Sequence, residues 1–192
     1  MACTQRGFNL IEVLVTLTVL GVLIALAAPT FGEWLQSQRI RAGAEAIVNG
    51  MQVARAEAIK QNLPIVFGLE PPTTGWTVCP ATVPVAPCDS TTPAGSFIQN
   101  RSGQEGSGNA QVKQTPDGQT LVTFSPLGAV LSNNLDGSPP LTQVDVFYND
   151  PNLCSANGGT TRCLRVVVTA GGSIRMCDPT PGIVAPDTRA CP

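Results

Sequence analysis

Twenty consecutive residues without a charge, Val13 to Gly32, follow a single acid, Glu12. As a helix rising ~1.5 Å per residue, that run is roughly 30 Å long, the thickness of a bilayer's hydrocarbon core. A carboxylate held deep in lipid costs about 2.5–3.5 kcal/mol, so Glu12 calls for a neutralising partner. Ahead of it stands a polar leader, Met1 to Gly7, with one cation, Arg6. A secretory signal places its apolar region before the cleavage site. Here the small residue, Gly7, precedes the apolar run, so a cut at Gly7 keeps the hydrophobic segment in the mature chain. Arg6 favours a cytoplasmic N-terminus, with everything after the span on the far side. Pro29, late in the run, removes one helical hydrogen bond and predicts a kink.

The rest of the composition narrows the function classes. Only 12% of the 192 residues are charged, the net charge is −2, and there is no histidine. That removes Ser-His-Asp and Cys-His catalysis and any histidine metal site. No catalytic residues, metal or cofactor are expected. Seven cysteines are present, and removal of the leader with Cys3 leaves six. An even number in a Gly- and Pro-rich domain beyond the membrane favours disulfides over thiols or metal. Six cysteines allow fifteen connectivities. Short loops close most readily, which selects neighbours: Cys79 with Cys88, Cys154 with Cys163, and Cys177 with Cys191.

Beyond Glu33 the pattern becomes amphipathic. Ile40, Ala44, Ile47, Met51, Ala54 and Ala58 recur at steps of four and three, one stripe of a helix. Glu57 and Lys60 are placed to pair. The helix should stop near Gln61 and Asn62, since Pro64 disfavours helix at Leu63. From there short runs rich in Val, Ile, Phe and Thr read as strands: 64–69, 75–79, 119–124, 129–132, 143–148, 163–169 and 173–177. Residues 80–109 read as one long loop. Ser125-Pro126-Leu127-Gly128 is a turn signal, and Ala170-Gly171-Gly172 predicts a closing hairpin.

Several of these stretches resemble a known family. Gly7-Phe8-Asn9-Leu10-Ile11-Glu12 resembles the class III signal of type IV pilins and type II secretion pseudopilins, with Asn9 where Thr is usual. The resemblance implies that a prepilin peptidase cuts between Gly7 and Phe8 and methylates the Phe8 amine. It also implies that Glu12 pairs with the N-terminal amine of a neighbouring subunit during assembly. An uncleaved anchor with Glu12 at the lipid interface is the competing reading. Met51-Gln52-Val53-Ala54-Arg55-Ala56-Glu57-Ala58, Phe124-Ser125-Pro126-Leu127-Gly128 and the segment from Leu164 to Cys177 are similar to the GspH/FimT branch, which includes minor pilins and the minor pseudopilin H.

The expected fold class is therefore α+β, a type IV pilin-like fold. A leader spans 1–7. A long helix spans 8–62, transmembrane over about 13–32 and amphipathic beyond, and packs on an antiparallel β domain, 63–192. The implied role is a non-enzymatic minor pilin that promotes pilus assembly; the alternatives are the pseudopilin H and a DNA-binding minor pilin. Implied partners are the prepilin peptidase, other major and minor pilins, the assembly platform, inner-membrane lipid and, for the last alternative, DNA. For DNA the candidates are Arg162, Arg165, Arg175 and Arg189. Family members that bind DNA carry Arg on both sides of one residue in this hairpin; here Ser173 occupies the first place and Arg175 the second. Asp178 and Asp187 dilute the patch.

Overall fold

A computed structural model describes residues 9–81 and 88–192. Side chains 27–30 lie outside the description, as do residues 1–8. Gly7 and Phe8, and the kink expected at Pro29, thus fall outside the described residues.

One helix, α1, runs from Leu10 to Gln61. The carbonyl of Asn9 accepts from the amides of Glu12 and Val13, opening the first turn. Asn62, at φ 53°, adopts the left-handed conformation that ends helices, and Leu63-Pro64 carries the chain into the first strand. The chain divides into two compact units, one through Leu35 and one from Gln36 onward.

In the first unit the apolar side chains point outward. Leu10, Leu20, Leu23, Ile24 and Leu26 are all more than half exposed. Two hydroxyls in this run are satisfied by their own helix: Thr16 donates to the Val13 carbonyl at 2.9 Å and Thr18 to Val15 at 2.8 Å. Such self-satisfaction is what a helix facing lipid needs, since lipid offers no hydrogen-bond partner. Neither Leu10–Leu26 nor Phe31–Gln61 alone is long and apolar enough to cross a membrane; together they pass by length and composition.

In the second unit the predicted stripe is buried: Ile40, Ala44, Ile47, Met51, Ala54 and Ala58 are each at most 1% exposed. Among the described residues eight strands follow. β1 (Ile65–Glu70), β2 (Gly75–Pro80), β3 (Gln99–Arg101) and β5 (Leu121–Phe124) form one antiparallel sheet in the order β3-β2-β1-β5. β4 (Ala110–Thr115), β6 (Gln143–Tyr148), β7 (Leu164–Val168) and β8 (Ile174–Cys177) form the other, ordered β4-β6-β7-β8. The helix stripe packs with inward residues of both sheets, including Phe67, Trp76, Val122, Phe124, Val144 and Val166, into one core. The architecture is α+β, a long helix on antiparallel sheets.

Three strand assignments differ from the sequence expectation. β3 lies inside the stretch expected to be loop, and β4 was not expected. Both are polar edge strands, and in β4 only Ala110 and Val112 reach the core. Residues 129–132 form a single bridge, Val130 to Phe124, rather than a strand. The turn ending at Gly128 and the bond from the Val130 amide to the Ala170 carbonyl draw that segment into a junction instead of a ladder.

At that junction three separate pieces of sequence meet. The Gly128 amide donates to Ser125, closing the expected turn with Gly128 at φ 76°. Arg55 of α1 donates from Nε to the Gly128 carbonyl at 3.0 Å. A Cβ on Gly172, itself at φ 77°, would overlap that same carbonyl. Val130 donates to Ala170 at 2.9 Å, joining the turn to the β7–β8 hairpin. Arg55 thus clamps helix, turn and hairpin together.

The cysteines are linked Cys79–Cys88, Cys154–Cys163 and Cys177–Cys191. The first packs with Val66, the second covers Phe147 on the outer side of the second sheet, and the third ties the tail to the end of β8.

Candidate functional site

The residues singled out for function fall at the two ends of the chain. At the N-terminal end Glu12 lies in the first turn of α1, exposed, with no ion-pair partner among the described residues. A carboxylate there is favoured by the amide end of the helix dipole. It remains open to a cation from outside the described part of the chain.

At the C-terminal end the four arginines are separated by the strand alternation. Arg165 and Arg175 project from the outer face of the second sheet, where Arg165 is paired with Cys177 and Val167 with Arg175. Arg165 grips Asp145 with two hydrogen bonds, Nε to Oδ1 at 2.6 Å and a second from the other nitrogen at 3.1 Å. Arg175 is exposed and has no ion pair among the described residues. Arg162 and Arg189 instead border a groove of about 340 Å³ between α1 and the last hairpin, with Ile40, Leu164 and Met176 as apolar lining and Arg41 beside them.

Each cation at this groove already faces an acid. Arg41 meets Glu45 at 2.8 Å, Arg162 meets Asp178 at 2.7 Å, and Arg189 meets Asp187 at 2.7 Å. Hydrogen bonds from Arg189 hold the Asp187 carboxyl down to about 2, and Asp187 in turn raises Arg189. Burial alone would raise the Asp178 carboxyl, but bonds from the Thr180 hydroxyl and amide and from Arg162 outweigh it and keep it below the ordinary value. The groove is therefore close to neutral, which makes it a poor attractor of phosphates.

Asp178 is the residue whose importance the sequence hid. It is 3% exposed, its carboxylate accepts from Arg162 and Thr180, and its amide donates to the Arg189 carbonyl at 2.8 Å. It anchors the tail to β8 from the same side as the Cys177–Cys191 link. In the sequence it reads only as a charge that dilutes the arginines. Arg55 was legible as part of a motif but not as a clamp. The Asp178-x-Thr180 spacing, in which a carboxylate can accept from the amide two residues on, was the one available signal.

Residues 43–172 match the family described as Type II transport protein GspH, and residues 3–28 match the prokaryotic N-terminal methylation motif. The chain belongs to the GspH family. Among solved structures it is similar to the type IV minor pilin FimU of Pseudomonas aeruginosa strain PAO1, at 15% identity and a TM-score of 0.49, covering 74% of this chain and 91% of that one. It is also similar to the minor pseudopilin EpsH of the Vibrio cholerae Type 2 Secretion System, at 15% identity and a TM-score of 0.45, covering 73% and 98%. No curated protein matches the chain. The family is one of pilin and pseudopilin subunits, and the two matches cover both ends of this GspH-family chain: a methylation motif on an apolar N-terminal helix and a β domain carried behind it.

Proposed function

We infer that this chain is a minor type IV pilin, made as a prepilin, that enters the pilus and promotes its assembly. The observation that carries the reading is the methylation motif at 3–28 on the same chain as the GspH match at 43–172. In this reading the prepilin peptidase cuts between Gly7 and Phe8 and methylates Phe8. The subunit waits in the inner membrane as a single-pass protein, N-terminus cytoplasmic and β domain periplasmic, until the assembly platform draws it into the filament. There Glu12 pairs with the N-terminal amine of a neighbouring major or minor pilin. An amine and a carboxylate meeting where water is excluded attract strongly, and either one unpaired there is costly, so the pair selects register.

The description of the matched family favours one second reading, the minor pseudopilin of a type II secretion system. Deleting the gene and scoring twitching, transformation and exoprotein secretion together separates the two. Loss of twitching with secretion intact is the expected outcome, and loss of secretion alone overturns the first reading. A role in DNA uptake draws support only from Arg175, the candidate arginine without an acid partner among the described residues. It requires a salt-dependent DNA shift by the protein that disappears in Arg175→Ala.

A further inference from the structure

At the far end of the apolar run two rings stack. Phe31 and Trp34, one turn apart on α1, have ring centroids 5.7 Å apart and planes inclined by 28°. Both are exposed, 58% and 55%, although together they are the largest apolar surface of the first unit outside the aliphatic run. The described residues of the chain leave this stacked pair uncovered. An indole carries an apolar body and one N–H donor, which suits neither water nor hydrocarbon alone. Its preferred surroundings are the headgroup boundary, where the ring is covered and the N–H finds an acceptor.

The spacing points to the same place. Phe31 lies 19 residues beyond Glu12 and Trp34 lies 22 beyond it. At ~1.5 Å per residue these are lengths along the helix of roughly 29 and 33 Å, against a hydrocarbon core of about 30 Å. Between them the chain is uncharged to Gly32, and charge returns at Glu33, Arg39 and Arg41. Glu12 and the ring pair thus stand at opposite boundaries of one bilayer-length run. The hydroxyls of Thr16 and Thr18 within it are already bonded to the helix and make no demand on the lipid.

We propose that Phe31 and Trp34 form a membrane-interface anchor, seated among lipid headgroups on the side of the β domain, which sets the depth of the stored subunit and holds Glu12 at the opposite boundary. The inference rests on the membrane-anchored reading above and adds where the boundary lies and which residues hold it. It also gives the pair a cost at assembly: extraction into a filament must strip both rings from lipid.

The test uses the full chain in vesicles of phosphatidylethanolamine and phosphatidylglycerol doped with lipids brominated near the headgroup or near the acyl terminus. The chain has two tryptophans, and Trp76 is buried in the core at 2% exposure, so subtracting the emission of Trp34→Phe isolates Trp34 without disturbing the fold. Expected is a larger loss of Trp34 emission with shallow bromines than with deep ones. Stronger quenching by deep bromines overturns the proposal. So does an absence of quenching in protein that floats with the vesicles, because the ring then faces water or another subunit. Failure to float at all overturns the anchored reading beneath it, and is read from the flotation gradient independently of fluorescence.

Discussion

The two parts of α1 belong to one continuous helix and end in opposite surroundings. Before Leu35 its leucines and valines are exposed on every side; after Gln36 a narrower stripe of smaller residues, half of them alanines, is sealed against two sheets. The first part is uncharged from Val13 to Gly32, whereas the second carries Arg39, Arg41, Glu45, Arg55, Glu57 and Lys60 around its stripe. An all-round apolar helix has no polar face to give to water, so it must be covered by lipid or by other subunits. A one-sided stripe can be covered by its own domain, and alanines let the sheets approach closely. In the function proposed above the first part serves assembly, while the second holds the β domain together.

The largest expected effect tests that division directly. Glu12→Ala should remove the subunit from sheared filaments while leaving the unfolding of the β domain unchanged. Normal incorporation, scored by immunoblot of the filament fraction, would sink the pairing role. Ile47→Ala, on the sealed stripe, should destabilise the domain by about 2–5 kcal/mol. Leu20→Ala, on the exposed part, should change it by less than about 0.5 kcal/mol. Denaturant unfolding of the two variants in detergent compares them, and equal effects would break the contrast.

Smaller effects sharpen the account of the β domain. Removing the Cys177–Cys191 link by a double Ser substitution should cost about 3 kcal/mol, the scale for a loop of this length. Limited proteolysis of the tail is the check. Gly172→Ala should cost about 2 kcal/mol, because the residue sits at φ 77° with its Cβ position filled by the Gly128 carbonyl. A normal melting temperature would show that the junction with Arg55 yields more easily than its geometry suggests.

The smallest effect is one of pH. The Asp178 carboxyl is lowered from its ordinary 3.8 in the folded chain, so its contribution to stability is present above that value. It is lost as pH falls from about 4 through the folded-state value, because the unfolded chain takes up the proton first. Asp178→Asn should lower stability at neutral pH and so flatten the acid limb, the two profiles converging below about pH 4 where Asp178 itself takes up a proton. An acid limb unchanged by the substitution would remove Asp178 as the tail's anchor.

Much of the fold was legible because its signals are local. Helical periodicity picked out all six stripe residues, and Leu63-Pro64 marked the end of α1. Gly128 and Gly172 marked turns through positions that only glycine takes without strain. The disulfide partners Cys79–Cys88 and Cys154–Cys163 are each nine residues apart and lie together for the same reason of short loops. What escaped is non-local. Gln111, Lys113 and Gln114 carry no apolar run, and β4 exists because β6 offers it a ladder. The arginines looked like a patch because sequence counts charges without their partners. Asp145 lies 20 residues from Arg165, and Asp178 lies 16 from Arg162; the pairing appears only once strands bring them side by side.

The sequence by itself determined that this chain has a methylation motif, an uncharged run of bilayer length with one acid at its head, and a β domain behind it. Periodicity, turn residues and an uncharged span are properties of neighbouring residues, so no folding is needed to read them. Tertiary structure alone decided which arginines keep free charge and what Arg55 holds. It also decided that Asp178, one carboxylate among several, fastens the tail. Those depend on groups far apart in the chain, whose meeting is set by sheet register and by the burial that makes each contact count.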